Sequence, residues 1–361
     1  MKICFILPGF ISVPMGGIKV VHEYANRLAD RGHDITLIYP LQLRTNLIYR
    51  FKKTMIRVFD QINGTERALY YTPDTKVTVL TVKKIIGKYV PIGDSVIAVG
   101  WQTANAVSNL PENCGNKFYF LQSFESYFIN KKQVSKTYHL PLHKIAISQW
   151  IINEIEALGE QSAGPLGNAI NSNEFFLESK NARRPIDIMF HYHPAKIKGA
   201  SDVLAVLKTL KKRYPRLTAT MITARRPVHR IPAWIEQHFH LTIDKLRQLY
   251  NTSKIFLHTS RWEGWGLPVM EAMACGCAII AYRNRGVSEF MKHQQNGFLT
   301  DIGDREQMIK FTEHLLNNPD VITPLTQNAY NTVAKYSWAN CVETFEQILK
   351  NHETTKNSNG R

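Results

Sequence analysis

Residues 255–282 contain two short apolar runs separated by a glycine-rich turn and one helix-like segment. The runs at 255–257 and 277–282 are built from residues typical of buried strands. Between them, Pro268 suits a helix start, because its fixed φ is already helical and its missing N–H has no partner there. Gly276 suits the helix end. A strand, loop, helix and second strand form the repeating unit of a parallel sheet, so this stretch predicts an α/β fold.

The same alternation of strand-like and helix-like segments continues through most of the chain, on both sides of one polar segment. Before that segment, strand-like apolar runs occur at residues 3–7, 35–39, 77–82, 96–99, 118–121 and 144–147. After it, they occur at residues 186–190, 218–222, 255–257, 277–282 and 297–300. The segment between them is rich in Gly, Pro, Asn and Ser, which is the composition of an interdomain linker. The chain therefore predicts two α/β domains.

These patterns also predict domain boundaries. We expect a first domain at residues 1–164, a linker at 165–185 and a second domain at 186–336. An amphipathic helix is predicted at 337–350, and the polar residues 351–361 are expected to form a disordered tail. The chain has 361 residues, of which 44% are hydrophobic, so it is long enough to form a core in each domain.

The formal net charge of +16 favours an anionic partner. Nucleic acid, an anionic membrane and phosphorylated substrates would each satisfy it. Residues 43–59 concentrate this charge, with no acidic residue and with apolar residues at helical spacing. They predict a basic amphipathic helix, which suits either an anionic membrane surface or packing of its apolar face on its own domain. Its basic residues are Arg44, Arg50, Lys52, Lys53 and Arg57.

The chain shows no apolar run of about 18 residues, so we expect no transmembrane helix. The apolar N-terminal segment 1–13 lacks a small-residue cleavage site, and Pro14 and Gly16-Gly17 follow it. It therefore predicts the first strand of a cytoplasmic protein, entering a glycine loop, and disfavours a signal peptide.

The cysteine and histidine patterns do not favour a metal site. An odd count of five cysteines, with Cys4, Cys275 and Cys277 in apolar contexts, predicts reduced thiols in the core. The C-x-C pair lacks a second Cys/His pair at zinc-site spacing. His191 and His193 alternate along a strand end without clustered carboxylates, so we expect no metal there either.

Two glutamates flank the turn of the 255–282 unit. Glu263 lies in the loop after a strand, and Glu271 lies in the first turn of the predicted helix. Ligands of open parallel sheets bind outside the carboxyl ends of the strands, where a helix start also attracts anions. Carboxylates there suit hydrogen bonds from sugar or ribose hydroxyls. For Glu271 taken alone, however, a favourable interaction with the helix dipole is the preferred explanation.

Two further loops offer groups for an anionic ligand. Gly16-Gly17 lies at a loop-to-helix junction, where a chain without Cβ atoms can offer N–H groups to a phosphate. Lys196 and Lys198 precede a helix near Gly199, where a cation can neutralise a diphosphate leaving group; solvated lysines are the alternative. The Gly16-Gly17 loop is neither G-x-G-x-x-G nor a Walker motif, which disfavours dinucleotide oxidoreductases and NTPases.

Together these motifs resemble family 4 glycosyltransferases, the glycosyl transferases group 1. "EGWGLPVMEAMACGCAIIA" matches the family signature, which has two glutamates separated by seven residues. "IKG", the early Gly-Gly loop, "NAINSNEFF" and "SWANCVETFEQIL" also fit, in the right order along nearly the whole chain. "YFLQSFESYF" and "HPAKIKG" are most similar to a bacterial subgroup that makes cell-surface polysaccharides.

The resemblance implies a GT-B fold, in which two Rossmann-like domains face a central cleft and a C-terminal helix returns to the first domain. The first domain would bind the acceptor and the second a nucleotide sugar. It implies a retaining glycosyltransferase that uses a glycan or lipid-linked acceptor and needs no metal or other cofactor, in agreement with the absence of Asp-x-Asp from the sequence. Such an enzyme would be cytoplasmic or peripheral at the inner face of the cell membrane and would not bind nucleic acid. A sugar-nucleotide epimerase of the same fold and an inactive binding subunit remain alternatives.

The resemblance also assigns roles to residues of this chain. Glu271 would bind the ribose hydroxyls, Glu263 the hydroxyls of the donor sugar, and Lys198 the diphosphate. Glu263 and Lys198 are therefore the candidate catalytic residues. The remaining donor-site candidates are Gly16, Gly17, Lys196, Arg225, Gly264, Gly266 and Leu267.

The chain departs from the family pattern at several positions. Gln122 stands where a first-domain histidine is common, so no catalytic histidine is predicted, and Gln122 and Trp101 are expected near the acceptor or sugar. His193 replaces a usual arginine. Arg285-Gly286 replaces a usual Gly-Gly, which leaves the donor sugar undetermined.

Overall fold

The computed structural model describes residues 1–9, 15–41, 43, 73–127, 129–179, 183–224 and 227–358. Two compact units make up the chain. One comprises Met1–Leu166 together with Val342–Arg361, and the other comprises Gly167–Cys341. The division falls between Leu166 and Gly167, at the beginning of the segment predicted to be the linker.

The first unit is built on a seven-stranded parallel sheet with the order β3-β2-β1-β4-β5-β6-β7. Its strands are largely buried apolar runs, as expected when helices cover both faces of a parallel sheet. The strands are β1 (Lys2–Ile6), β2 (Asp34–Pro40), β3 (Thr78–Val82), β4 (Ser95–Val99), β5 (Asn116–Leu121), β6 (His143–Ala146) and β7 (Ser162–Ala163). The described helices are α1 (Gly16–Asp30), α2 (Trp101–Ser108), α3 (Lys131–Tyr138) and α4 (Gln149–Glu156).

The second unit contains a six-stranded parallel sheet with the order β10-β9-β8-β11-β12-β13. The strands are β8 (Ile186–His191), β9 (Ala219–Thr223), β10 (Ile235–Phe239), β11 (Ser253–His258), β12 (Ala278–Tyr282) and β13 (Phe298–Thr300). The helices are α5 (Ala200–Arg213), α6 (Ile243–Thr252), α7 (Leu267–Ala274), α8 (Arg305–Asn317) and α9 (Ile322–Val333). Both units are thus Rossmann-like, which confirms the predicted fold class.

Every strand predicted from an apolar run is present, with ends shifted by a few residues. Two strands, β7 and β10, were not predicted from the sequence. β7 has two residues, and β10 reads Ile-Glu-Gln-His-Phe at the edge of its sheet, where only Ile235 is buried. An exposed edge strand does not need the continuous apolar run that identifies a central parallel strand.

The last helix, α10 (Trp338–Ser358), joins the first unit from Val342 onward. Phe345 is fully buried there, and its ring centroid lies 4.9 Å from that of Tyr24 and 5.6 Å from that of Phe120. The predicted return of the C-terminal helix is therefore confirmed. Burial of one aromatic side chain of this size stabilises the docked helix by roughly 2 kcal/mol.

Helix α10 also continues to Ser358, beyond the predicted helix end at residue 350. Residues 351–358 contain neither glycine nor proline, so nothing in the local sequence ends the helix. His352 anchors this turn, because its ring stacks on His143 at 3.9 Å and its carbonyl accepts a hydrogen bond from Asn116 Nδ2 at 3.3 Å.

No described helix combines the length and apolar character needed to cross a membrane. All five cysteines are buried, as expected for thiols in the core.

Glu346 links α10 to the first unit through charge. Its carboxylate lies 2.7 Å from Arg31 Nη2 and 2.5 Å from Lys350 Nζ. The Lys350 hydrogen bond, with help from Arg31 and His33 and against the opposing effect of burial, lowers the pKa of Glu346 to about 2. An unfolded glutamate has a pKa of about 4.3, so this stabilisation is present above that pH and is lost as the pH falls toward 2.

We predict that Glu346→Gln increases amide hydrogen exchange in residues 342–352 by about 5-fold at pH 7, because about 1 kcal/mol of docking energy is lost. The difference from the unsubstituted protein should be smaller at pH 4, after correction for intrinsic exchange rates. Glu343→Gln, at an exposed position on the same helix, is the control and should leave exchange unchanged. Equal protection in the Glu346→Gln and Glu343→Gln variants would contradict the assigned role of Glu346.

Candidate functional site

The candidate site of the second unit lies where the strand order of its sheet reverses, between β8 and β11. Connections leave neighbouring strands in opposite directions at such a point, which opens a crevice at their carboxyl ends. The loop after β8 contains a short turn, Lys196–Lys198, and the loop after β11 leads to Glu263. The topology therefore brings together two loops that are about sixty residues apart in sequence.

Close backbone contacts hold these two loops side by side. The Arg261 N–H donates to the Ile197 carbonyl at 2.7 Å, and the Thr259 hydroxyl donates to the Gly199 carbonyl at 2.9 Å. Gly199 has φ +66°, and an added Cβ would collide with the Thr259 carbonyl. Glycine is required here for both conformation and space.

Lys198 and Glu263 form an ion pair at the end of these loops, with Lys198 Nζ 2.7 Å from Glu263 Oε1. The side chain of Glu263 is 15% exposed and that of Lys198 is 32% exposed. His258, at the end of β11, places Nε2 3.5 Å from the same carboxylate oxygen. Burial alone raises the pKa of Glu263, but the Lys198 ammonium and the His258 ring outweigh it and hold that pKa well below its ordinary value. Glu263 is therefore a charged acceptor in a confined position.

The turn that follows Glu263 is packed tightly against the 284–290 segment. A Cβ on Gly286 would lie 2.6 Å from the Glu263 carbonyl and 2.7 Å from the Trp265 nitrogen. Trp265 is buried, and its ring lies 5.8 Å from that of Phe290. Gly286 thus allows the backbone of the 284–290 segment to contact the backbone of the turn that carries Glu263.

The neighbouring Arg285 places its guanidinium 5.7 Å from the centroid of the Trp262 ring. The position where the family pattern has glycine therefore carries a cationic side chain next to the Glu263 loop.

Helix α7 begins after Gly266, which has φ +113°, and carries Pro268 in its first turn. It ends before Gly276, which has φ +78° and donates its N–H to the Met273 carbonyl. Both features agree with the predicted start and stop signals. Leu267 is the first helical residue, so Gly266 and Leu267 form the junction expected to contact a ligand through the backbone.

Glu271 lies in the second turn of α7, and the first turn contains no acidic residue. Its predicted place in the first turn was wrong, because the helix begins at Leu267. The helix-dipole effect is confined to the terminal turn, so it does not explain a carboxylate at this position. Glu271 is 9% exposed, and the Tyr250 hydroxyl lies 3.3 Å from its Oε2. Glu271 is therefore a largely buried carboxylate that lies within hydrogen-bond distance of a phenol hydroxyl.

The first unit has a corresponding edge, where its strand order reverses between β1 and β4. Gly16 and Gly17 begin α1, and a Cβ on Gly17 would lie 3.2 Å from Gln122 Oε1. Trp101 begins α2 after β4, and its N–H donates to Glu125 Oε2 at 3.1 Å. The structure thus brings Gly17 next to Gln122 and Trp101 next to Glu125.

Three neighbours of the predicted residues were not identified from the sequence. Glu125 follows β5, and burial raises its pKa to about 7 against the effect of the Trp101 N–H. His258 and Tyr250 each contact a signature glutamate. No spacing rule connects these single residues to their partners, because the fold alone brings them together. Lys196 is exposed, and Arg225 lies outside the residues that the structure describes.

Residues 174–335 match the family described as Glycosyl transferases group 1. This segment of the chain belongs to that family. The match lies within the second unit and includes the Glu263 turn and α7, but it ends before α10. It confirms the resemblance drawn from the signature block.

Two curated relatives are glycosyltransferases by name. An uncharacterized glycosyltransferase of Haemophilus influenzae is 26% identical over 165 residues, which cover 44% of this chain and 47% of that protein. The serotype-specific mannosyltransferase WbdA of Escherichia coli is 32% identical over 119 residues, covering 32% of this chain and 14% of that protein. The chain thus spans about half the length of the first relative and a smaller part of the second.

A solved structure extends the likeness to both units. Anabaena Alr3699/HepE, crystallised with UDP and glucose, superposes with a TM-score of 0.70 at 15% identity and covers 98% of this chain and 100% of its own. At this identity the likeness shows the fold, which is the GT-B fold of group 1 glycosyltransferases.

We predict that Lys198→Met destabilises the second unit by about 1–3 kcal/mol, because it leaves the Glu263 charge without its ammonium partner. Glu263→Gln should destabilise less, since Lys198 is the more exposed partner. Removing both should cost less than the sum of the two single changes, because no unpaired charge remains. Denaturant unfolding of the four proteins measures this coupling.

Lys254→Met is the matched control. Lys254 pairs with Asp187 at the same 2.7 Å, but at the amino ends of β8 and β11 and with a side chain that is 41% exposed. It should destabilise by less than about 1 kcal/mol. Additive single-variant effects at Lys198 and Glu263 would contradict the coupling.

Proposed function

We propose that the protein is a retaining glycosyltransferase that moves a sugar from a nucleotide-sugar donor to a glycan or lipid-linked acceptor in cell-surface polysaccharide biosynthesis. The observation that carries the proposal is the Lys198–Glu263 pair at the strand-order reversal of a group 1 glycosyltransferase segment. It sets a charged hydrogen-bond acceptor beside a cation, the combination that a sugar and its diphosphate require.

Each group has a defined task in this proposal. Glu263 accepts hydrogen bonds from donor-sugar hydroxyls, and Glu271 accepts them from the ribose hydroxyls. Lys198, assisted by Lys196, neutralises the charge that develops on the leaving diphosphate, so no metal cofactor is invoked. Because Lys198 is already held by Glu263, little rearrangement is needed when the donor binds.

The chemistry at the anomeric carbon involves mainly the substrates themselves. The bond from the anomeric carbon to the diphosphate oxygen breaks, and the acceptor oxygen forms a bond to that carbon on the same face. The leaving phosphate oxygen takes the acceptor proton, and the configuration is retained. The protein positions the reactants and stabilises the departing charge.

The comparisons support a nucleotide-sugar donor, since HepE was crystallised with UDP and glucose. A mannosyltransferase among the relatives supports hexosyl transfer. The first unit would receive the acceptor, near Trp101 and Gln122, in keeping with their place at the carboxyl edge of its sheet. Donor-side contacts from Gly16, Gly17, Gly264 and Arg225 are part of the same proposal.

The donor can be identified by thermal unfolding with a panel of UDP-, GDP- and dTDP-sugars. A ligand at 100 times its dissociation constant stabilises the protein by about 2.7 kcal/mol, which is readily measured as a shift in Tm. We predict that Glu271→Gln weakens binding of the selected nucleotide by about 1–3 kcal/mol in calorimetry, without lowering the Tm of the free protein appreciably. Glu313→Gln, a surface change in the same unit, should bind normally. Equal affinities in all three proteins would overturn the ribose assignment.

Turnover tests the role of Glu263. We predict that Glu263→Gln reduces nucleotide release from the selected sugar donor at least about 10-fold, while the affinity for the free nucleotide changes little. Lys254→Met should retain activity, because its ion pair lies at the opposite end of the sheet. Analysis of the product also separates the alternatives. An epimerase would change the donor sugar without transferring it, and a binding subunit would release no nucleotide.

The cytoplasmic face of the cell membrane is the proposed location, because a lipid-linked acceptor would be presented there. The basic segment 43–59 lies mostly outside the described residues, so this part of the proposal rests on its charge. We predict that the protein co-sediments with vesicles containing anionic lipid and that changing Arg50, Lys52 and Lys53 to Glu reduces binding at least about 10-fold. Unchanged sedimentation of the variant would contradict this assignment.

A further inference from the structure

A row of three polar side chains ends at Glu271. Tyr250, near the end of α6, is fully buried, and its hydroxyl lies 3.0 Å from His191 Nε2 and 3.3 Å from Glu271 Oε2. His191 is the last residue of β8. The row therefore connects three elements, β8, α6 and α7, that are distant in sequence, through side chains that meet beside the last residue of β8.

The number of hydrogens available on each group determines which group donates in each hydrogen bond of this row. A phenol has one hydrogen, and an ionised carboxylate only accepts, so the Tyr250 hydroxyl donates toward Glu271. The Pro268 carbonyl, at 3.4 Å, is a neutral competitor, and a charged acceptor makes the stronger bond. With its hydrogen so used, the Tyr250 oxygen can only accept in its 3.0 Å contact with His191, which requires the tautomer that carries its hydrogen on Nε2.

The state of His191 agrees with this direction. Burial, aided by the nearby His258 ring and opposed by Glu263, lowers the pKa of His191 to about 3. The imidazole is therefore neutral at physiological pH and has one N–H, which this arrangement of donors requires on Nε2. The same bond orients the phenol hydroxyl.

Core packing does not account for the hydroxyl of Tyr250. The ring packs against aromatic side chains, with centroids 5.6 Å from Phe256 and 6.1 Å from Phe175. A phenylalanine ring would make the same contacts without placing a polar group in the interior. Among the residues that the structure describes, the hydroxyl contacts His191, Glu271 and the Pro268 carbonyl, so its contribution lies in what it does for those groups.

We propose that Tyr250 and His191 are positioning residues that hold the Glu271 carboxylate in the orientation that accepts ribose hydroxyls. The inference rests on the proposed function, because it needs Glu271 to bind the ribose. Tyr250 does not touch the nucleotide itself. It limits the rotation of the carboxylate through one hydrogen bond and is itself held by His191.

The test uses nucleotides that differ at the ribose. Calorimetry with UDP and 2′-deoxy-UDP, or with GDP and 2′-deoxy-GDP if the unsubstituted protein prefers guanine, gives the ratio of the two affinities. We expect Tyr250→Phe to weaken binding of the ribonucleotide about 5-fold and that of the deoxynucleotide by less than about 2-fold, so that the ratio falls. Glu271→Gln should lower the same ratio, and the double variant should lower it little further.

Tyr214→Phe is the matched control. The Tyr214 hydroxyl accepts a hydrogen bond from Asn317 at 2.9 Å in the same unit, on residues outside the site, so the ratio should not change. Equal weakening of both nucleotides by Tyr250→Phe, or an unchanged ratio, overturns the inference while leaving the proposed function standing. Failure of the unsubstituted protein to bind any of these nucleotides refutes the proposed function, and the inference with it.

Discussion

Glu263 keeps its charge in a confined position because Lys198 lies 2.7 Å away, and the loops that follow β8 and β11 meet at that ion pair. The two residues lie in the loops that follow different strands, so their contact requires the β8 and β11 loops to touch. Gly199 allows this approach because it has no Cβ to collide with the Thr259 carbonyl, and the Arg261 N–H fixes it. The strand order of the parallel sheet reverses between these strands, and this reversal opens the crevice. The crevice and the ion pair therefore both depend on the same strand order.

The strands were predictable because central strands of parallel sheets are buried on both faces and therefore appear as continuous apolar runs. β8, β11 and β12 are of this kind. β10 was missed because it lies at an edge, where only its first residue is buried and the run is interrupted by Glu236 and Gln237. The end of α10 was predicted too early for a different reason, which is the polar character of residues 351–358. A polar sequence resembles a tail until the contact of His352 with His143 is known.

The candidate site was predictable where its residues are close in sequence. Glu263, Gly266 and Glu271 occupy one block, and their spacing carries the signature. Lys198 could be proposed because it lies in a loop at the end of another strand. Tyr250 and His258 could not be predicted, because single residues on α6 and β11 form no pattern in the sequence. Only the fold places them beside the two carboxylates. Such partners are recognised from hydrogen-bond geometry.

The two signature carboxylates are held by different physical means, and this difference suits the tasks proposed for them. Glu263 is held by charge, through the Lys198 ammonium, in a position where a diphosphate would share the same cation. Glu271 is held through a neutral row, Tyr250 and His191, which orients a carboxylate without adding positive charge beside it. A neutral phenol donor orients a carboxylate through a hydrogen bond, whereas an ammonium group also neutralises its charge. In the proposed function, separating charge neutralisation from orientation in this way would let one short helix and its preceding turn serve both ends of a nucleotide sugar.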